Sequence, residues 1–337
     1  MQELRYTRSE PEFLLLYAAA PEMQRLKDVG MNCGCEYTGF ARFAACAPYT
    51  RFAHSLGVGQ ITWRFTGEEK QALAALLHDI ATPAFSHVVD FLRGDHLRQE
   101  ATEEGTARII AADGQLCALL RQLGLTVADV EDYHRYPIAD NDAPRLSADR
   151  LEYTLGNLTR FGFADEAQVR TMYENITVGQ NEDGAPELCF TDPAAALDFA
   201  RGALRCSEVY VSPEDRYSMQ MLAELLGQAL ERGTLTWALL YRTEAEVIAA
   251  LRADPVCAAQ WERFRAYRTI TQADAPTGAG QWRVVPAKRR RIDPLILGQG
   301  RVSRVFPDFG EALEKFLRAP QDGYLCANVE NGGRFFP

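Results

Sequence analysis

A chain of 337 residues, 47% hydrophobic and 24% charged, has the make-up of a globular protein long enough to bury a large core. No apolar run approaches the length of a membrane span, and a net charge of −10 argues against a dedicated nucleic-acid binder, which carries a basic footprint. An anionic ligand would need a local cluster of cations to draw it in.

The opening stretch, MQELRYTRSEPEF, is polar and lacks the pattern of a secretory leader, so a cytoplasmic location is expected. Residues 1–49 read as a lead-in whose loop, MNCGCEYTGF, holds Cys33 and Cys35. The eight cysteines are scattered, without the spacing of a zinc site or a disulfide framework, and are expected to be free thiols.

TRFAHSLGVGQITWRF reads as an amphipathic helix with Arg51 and His54 one turn apart on the same side. GEEKQALAALLHDI carries a strong helical signal and ends in the doublet His78-Asp79, with Pro83 marking where the helix must stop or turn. Burying an imidazole and a carboxylate costs several kcal/mol unless they are hydrogen-bonded or bind a cation. The doublet by itself fits either a capped helix end or a metal site.

LSADRLEYTLGN starts another helix, with Ser147 as N-cap and Asp149 in the first turn. Asp149, Tyr153 and Asn157 recur every fourth residue and form one polar stripe, while Leu151, Leu155 and Leu158 take other faces. A stripe of this kind is also what a solvated face looks like.

NITVGQNEDGAPELCF reads as a β-hairpin, and residues 192–250 return to helical periodicity, including DRYSMQMLAELLGQALERG. From about Asp254 the tail mixes a loop (TQADAPTGAG), strands around Gln281–Pro286 and a last helix, DFGEALEKFL. Within it, VVPAKRRRIDPLI carries Lys288, Arg289, Arg290 and Arg291 in an otherwise acidic chain. Four consecutive cations cannot all lie on one face of a strand or helix. The run is either a solvated loop or subunit contact, or a phosphate-binding segment completing a substrate site or an effector site between subunits. The chain thus divides into a lead-in (1–49), a helical core with its extension (50–250) and a C-terminal α+β segment (251–337).

Taken together, the motifs resemble the HD-domain phosphohydrolase superfamily, and within it the deoxynucleoside triphosphate triphosphohydrolase branch. The pattern R-F-x-H-S-L-G-V is met by Arg51 through Val58, the apolar helix by its terminal His78-Asp79, and P-x-F-S-H by Pro83 through His87. The pattern D-x-x-x-Y-x-x-x-D is met at Asp149 and Tyr153, with Asn157 in its last place. The match spans roughly residues 40 to 230. It implies a mainly α fold: an HD-domain helical core, a short β-hairpin and a small α+β C-terminal portion. It also implies one divalent metal ion held by His54, His78, Asp79 and Asp149, a donor set that suits Mn, Fe, Ni or Zn. By the same resemblance Arg51 and His87 would engage phosphate, Tyr153 the sugar, Asn157 its 3′-hydroxyl, and Arg216 a phosphate or base. The ligand would be a nucleotide and the protein a homo-oligomer. Water would attack the α-phosphate to give a nucleoside and inorganic triphosphate.

Departures from the branch concern acid–base chemistry. Thr82 stands where the branch has one histidine, and Thr102, followed by Glu103 and Glu104, where it has another. A threonine cannot relay a proton near neutral pH as imidazole can. Either His87, with Glu103 or Glu104, would carry the proton transfers, or His96 would swing in as the missing imidazole. Metal-dependent phosphohydrolysis of a nucleotide is the leading expectation. The alternatives are a nucleotide-binding sensor with degenerate catalysis and an HD-type nucleotide phosphatase or pyrophosphatase.

Overall fold

The structure is a computed structural model that describes residues 6–7, 11–94 and 105–329. Its centre is a helical hairpin. The Arg51–Thr66 helix begins after Thr50, whose side chain accepts a hydrogen bond from the Ala53 N–H, and ends at Gly67 in a left-handed conformation (φ 67°). The Glu69–Leu77 helix then packs against it, with Ala72 through Leu77 all buried. Gly59 permits the close approach, because a Cβ there would lie 3.2 Å from the Ala72 carbonyl oxygen and 3.2 Å from Leu76 Cβ. From Ala72 to Leu77 the Glu69–Leu77 helix is buried on every side, which is why that stretch is wholly apolar, whereas Glu69 at its start is exposed.

The Ala148–Arg160 helix packs against the Arg51–Thr66 helix, with Glu152 beside His54 and Gly57, and the Pro193–Tyr210 helix backs it, its Gly202 facing Leu158. Ser147 caps the first of these by accepting from the Arg150 N–H.

Among the described residues seven strands form two small sheets: β1 (Ile176–Gln180), β2 (Pro186–Phe190), β3 (Tyr267–Ala273), β4 (Arg283–Val284), β5 (Leu295–Ile296), β6 (Gly300–Arg301) and β7 (Tyr324–Val329). The hairpin β1–β2 is extended by β5 in parallel and then by β6, giving the order β1-β2-β5-β6. The second sheet has the order β3-β7-β4, all antiparallel. The tail differs from the sequence reading in several places, with β5, β6, β7 and a short helix at Val302–Val305 beyond the strands and helix expected there. Thr271–Ala273, read as loop, belong to β3, and Asp254 caps a further helix, Pro255–Arg265. The β3 partner lies more than fifty residues away in β7, a non-local pairing that no local pattern reveals.

Arg301 locks the tail to the core. Its guanidinium forks onto the fully buried Glu187 (2.5 and 2.8 Å) and onto Glu182 (2.8 and 2.6 Å). Glu187 also accepts from the Leu146 N–H, just before the Ala148–Arg160 helix. Two hydrophobic clusters result, one around the helical hairpin and one around Phe85, Leu222, Trp261 and Tyr267. All eight cysteines are free thiols, and among the described residues no helix is long and apolar enough to cross a membrane.

Candidate metal centre and its cleft

His54 sits in the first turn of the Arg51–Thr66 helix, His78 caps the end of the next, and Asp149 lies in the first turn of the Ala148–Arg160 helix. One donor atom from each of the three lies within 4.8 Å of the others. His54 Nε2 is 3.0 Å from Asp149 Oδ1, and His78 Nε2 is 3.9 Å from it. Asp79 Oδ2 stands 3.5 Å from His78 Nε2 and 4.0 Å from His54 Nε2, at the edge of the same cluster. Neighbouring donors on an ion with bonds of about 2.0–2.2 Å are separated by about 3–3.5 Å, so small movements would close this set on a cation.

The far sides of both imidazoles are already committed. His78 Nδ1 is 2.7 Å from the Ala75 carbonyl, which accepts its proton, and His54 Nδ1 is 2.5 Å from Glu152 Oε2. Each ring can therefore keep an N–H on its far side and leave Nε2 free to serve a cation, the tautomer a metal ligand needs. The donor set fits a divalent ion.

Burial works against ionising Asp79, yet Arg51 and the two imidazoles hold it well below the usual carboxylate range. Asp149 is likewise held down against its burial, by His54 first. The buried His54 would resist protonation, but Asp149 and Glu152 outweigh that and lift it to about 10. Without a cation these carboxylates favour a proton on His54, as an anionic pocket built for positive charge does.

Arg51 and Thr82 orient Asp79. Arg51 Nη1 donates to Asp79 Oδ2 at 3.0 Å and its Nε donates to Ser86 Oγ at 3.1 Å. Thr82 Oγ1 donates to Asp79 Oδ1 at 2.7 Å. Thr82 is fully buried, so its hydroxyl serves the carboxylate and does not face the cleft. The turn that follows is strained, with Phe85 and Ser86 at φ 61° and 52°. It is held by Glu244, which accepts from the Phe85 N–H, and by Ser86 Oγ donating to the Gly30 carbonyl. Strain of this kind persists only where surrounding contacts over-determine it.

These groups open on a cleft of about 620 Å³ between the two hydrophobic clusters. Arg51, His87, Tyr153 and Asn157 line it, and so do all four cations from Lys288 to Arg291. The basic run therefore faces the same cavity as the metal donors. Asn157 Nδ2 donates to Tyr210 Oη at 2.7 Å, leaving its buried Oδ1 without a hydrogen bond. His87 Nδ1 faces Asp90 Oδ2 at 2.8 Å, and His87 Nε2 accepts from Arg290 Nη2 at 3.2 Å. Burial, then the nearby arginines, push the His87 pKa down despite Asp90, so the ring is a neutral acceptor toward the cleft. As placed, its Nε2 accepts from Arg290, whereas the sequence reading gave His87 a part in proton transfer.

Arg216 requires correction. It does not line the cleft: its Nη1 donates to the Val285 carbonyl at 2.5 Å and to the Gln321 carbonyl at 3.4 Å, pinning the C-terminal segment. Its neighbour Asp215 and, one turn on, Met219 are the cleft residues of that helix (Pro213–Glu231), and burial lifts Asp215 to about 8. Glu103, with Glu104, Thr102 and His96, lies outside the described residues.

Sequence reasoning missed Glu152, Tyr133, His134 and Asp140. Glu152, three residues after Asp149, was visible as a second acid one turn along the same helix. His134 and Asp140 sit in an irregular stretch where no periodicity signals a role.

Comparison with known proteins follows the same lines. Residues 51–155 match the HD domain family model. The chain is 27% identical over 243 residues to the uncharacterised protein YdhJ of Bacillus subtilis, covering 71% of this chain and 70% of that one. It is 26% identical over 318 residues to the metal-dependent phosphohydrolase cns2 of Cordyceps militaris, covering 92% and 88%. Among solved structures it resembles a phosphohydrolase from Bacteroides thetaiotaomicron (TM-score 0.63, 15% identity, 94% and 96% covered). It also resembles a hypothetical protein from Aquifex aeolicus (TM-score 0.66, 20% identity, 95% and 93% covered). At those identities the structures establish the mainly helical HD-like fold over the whole chain. Residues 51–155 of the chain thus carry an HD domain, within a sequence similar along most of its length to a metal-dependent phosphohydrolase.

Proposed function

We propose that this protein hydrolyses a phosphate ester of a nucleotide, with one divalent ion held by His54, His78, Asp79 and Asp149. The observation that carries this reading is the convergence of His54, His78 and Asp149 in one cleft with the four cations of Lys288–Arg291. Metal donors answer to a phosphoryl oxygen, and cations to the charge around it. A divalent ion bound there would polarise that oxygen and acidify a water molecule.

This chain's own groups would do the rest. Arg51 holds Asp79 in place and borders the cleft, so one guanidinium can orient the carboxylate and meet an anionic oxygen. Tyr153 offers a ring for the sugar. Asn157 Oδ1, buried and without a donor, suits a ligand hydroxyl. Lys288–Arg291 would bind the phosphates, which favours a nucleotide with several, including a deoxynucleoside triphosphate.

The test is product identification. Protein loaded with Mn²⁺, Fe²⁺ or Ni²⁺ is incubated with a nucleotide panel, and released species are separated by ion chromatography. Tripolyphosphate release would support the triphosphate form of the reading, and orthophosphate release a phosphatase. Tight binding without product under every metal would reject hydrolysis in favour of a sensor.

A further inference from the structure

Four of the chain's five histidines, at positions 54, 78, 87 and 134, line the one cleft. Two of them face each other as metal donors. The third, His87, receives Arg290 at Nε2 and so has no proton to give there. The fourth is His134, on a short turn spanning Tyr133–Arg135.

Asp132 caps that turn, accepting from the His134 backbone N–H at 3.1 Å. The same oxygen, Oδ1, lies 3.1 Å from His134 Nδ1, so one carboxylate fixes both the backbone and the ring. At the opposite nitrogen, Nε2 is 3.4 Å from Asp140 Oδ2. Asp140 is itself anchored by Ser147 and Arg150 through its other oxygen. The ring is half exposed at the mouth of the cleft. Its centroid is 4.5 Å from that of Tyr133, and Tyr133 stacks on His78 at 4.7 Å with 29° between the planes. One aromatic ring thus separates His134 from a metal donor. Phosphorus would sit at the metal, and the group it releases would extend toward this rim.

We propose that His134, oriented by Asp132, donates the proton to the leaving oxygen of the phosphate ester. This rests on the phosphohydrolase reading above. In the step, a water oxygen bonds to phosphorus while the bond from phosphorus to the leaving oxygen breaks. The electron pair stays on that oxygen, which takes the Nε2 proton. One water proton remains on the phosphate product and the other passes to solvent, from which the imidazole is reprotonated. An imidazole at this place takes up the work for which Thr82, turned toward Asp79, has no suitable group.

The experiment uses leaving groups of different quality with the full chain loaded with Mn²⁺. One substrate is the nucleotide turned over fastest in the panel, and the other is 4-nitrophenyl phosphate, whose phenolate departs without protonation. His134→Asn should lower kcat on the nucleotide by about 100-fold or more and on the aryl ester by less than about threefold, since general-acid assistance is worth roughly 10²–10⁴. Asp132→Asn should give a smaller loss with the same split, as a positioning residue would. His134→Gln repeats the test with a second side chain. Equal losses on both esters, no loss on the nucleotide, or loss of bound metal would each overturn the assignment. Wild-type protein that turns over neither ester with any metal would overturn the phosphohydrolase reading, and this role with it.

Discussion

His54 Nδ1 lies 2.5 Å from Glu152 Oε2, while the opposite nitrogen of the same ring faces Asp149 at 3.0 Å. Glu152 is buried and receives the hydroxyls of Tyr6 and Tyr49 as well, so a network of aromatic donors fixes the carboxylate that fixes the ring. Partners behind a metal ligand commonly contribute about 10–100-fold in affinity. Glu152→Gln keeps the size and removes the charge. Its Mn²⁺ affinity by isothermal titration should fall within that range, and an unchanged affinity would show that Glu152 does not tune the site.

The pH dependence of the metal-stripped protein follows from His54. Burial opposes its charge, yet Asp149 and Glu152 raise it from 6.5 to about 10. A raised folded value contributes stability that is fully present below 6.5 and is lost as pH climbs through about 10. A bound cation takes over from that proton. Tm of the stripped protein should therefore decline across this window, and the gain on adding Mn²⁺ should widen with rising pH. A gain that narrows would contradict the assignment.

Arg51 and Asp79 form a buried ion pair at 3.0 Å. Removing one member leaves the other uncompensated, at a cost of about 3–5 kcal/mol. Arg51→Met should be destabilised by that order in urea unfolding. The double variant Arg51→Met with Asp79→Asn should lose less than the sum of the two single variants. Strict additivity would mean the pair is not coupled.

Arg216 separates structure from binding. Arg216→Met leaves the Val285 carbonyl without its donor, so stability should drop by about 1–3 kcal/mol. KM for the best nucleotide should stay within about twofold of the wild type, because the side chain lies away from the cleft. A large rise in KM with normal stability would restore the original expectation for this residue.

Arg290 couples the C-terminal segment to the cleft through His87. Arg290→Gln should raise KM for an anionic substrate by about tenfold and flatten its dependence on ionic strength, since one charge-assisted contact is lost. Steady-state kinetics at several salt concentrations read this directly.

What could be read from the sequence was local. The helical hairpin ending in His78, the capped start at Ser147 and the stripe of Asp149, Tyr153 and Asn157 are patterns of three to four residues. The structure places all three stripe residues on the cleft wall. The β1–β2 hairpin followed from β-branched residues flanking a turn. The function of the basic run stayed open because its neighbours in space are nowhere near it in the chain.

The amino-acid order located the helices that carry His54, His78 and Asp149, because capping and helical spacing act within a single turn, and the resemblance of the motifs to a known family is what grouped those residues as metal donors. Tertiary structure decided the rest. It set Glu152 behind His54 across 98 residues, brought Arg290 to His87 across 203, placed His134 at the rim and turned Arg216 away. Those contacts depend on how two hydrophobic clusters close against each other, a property of the packed whole that leaves no periodic trace in the chain.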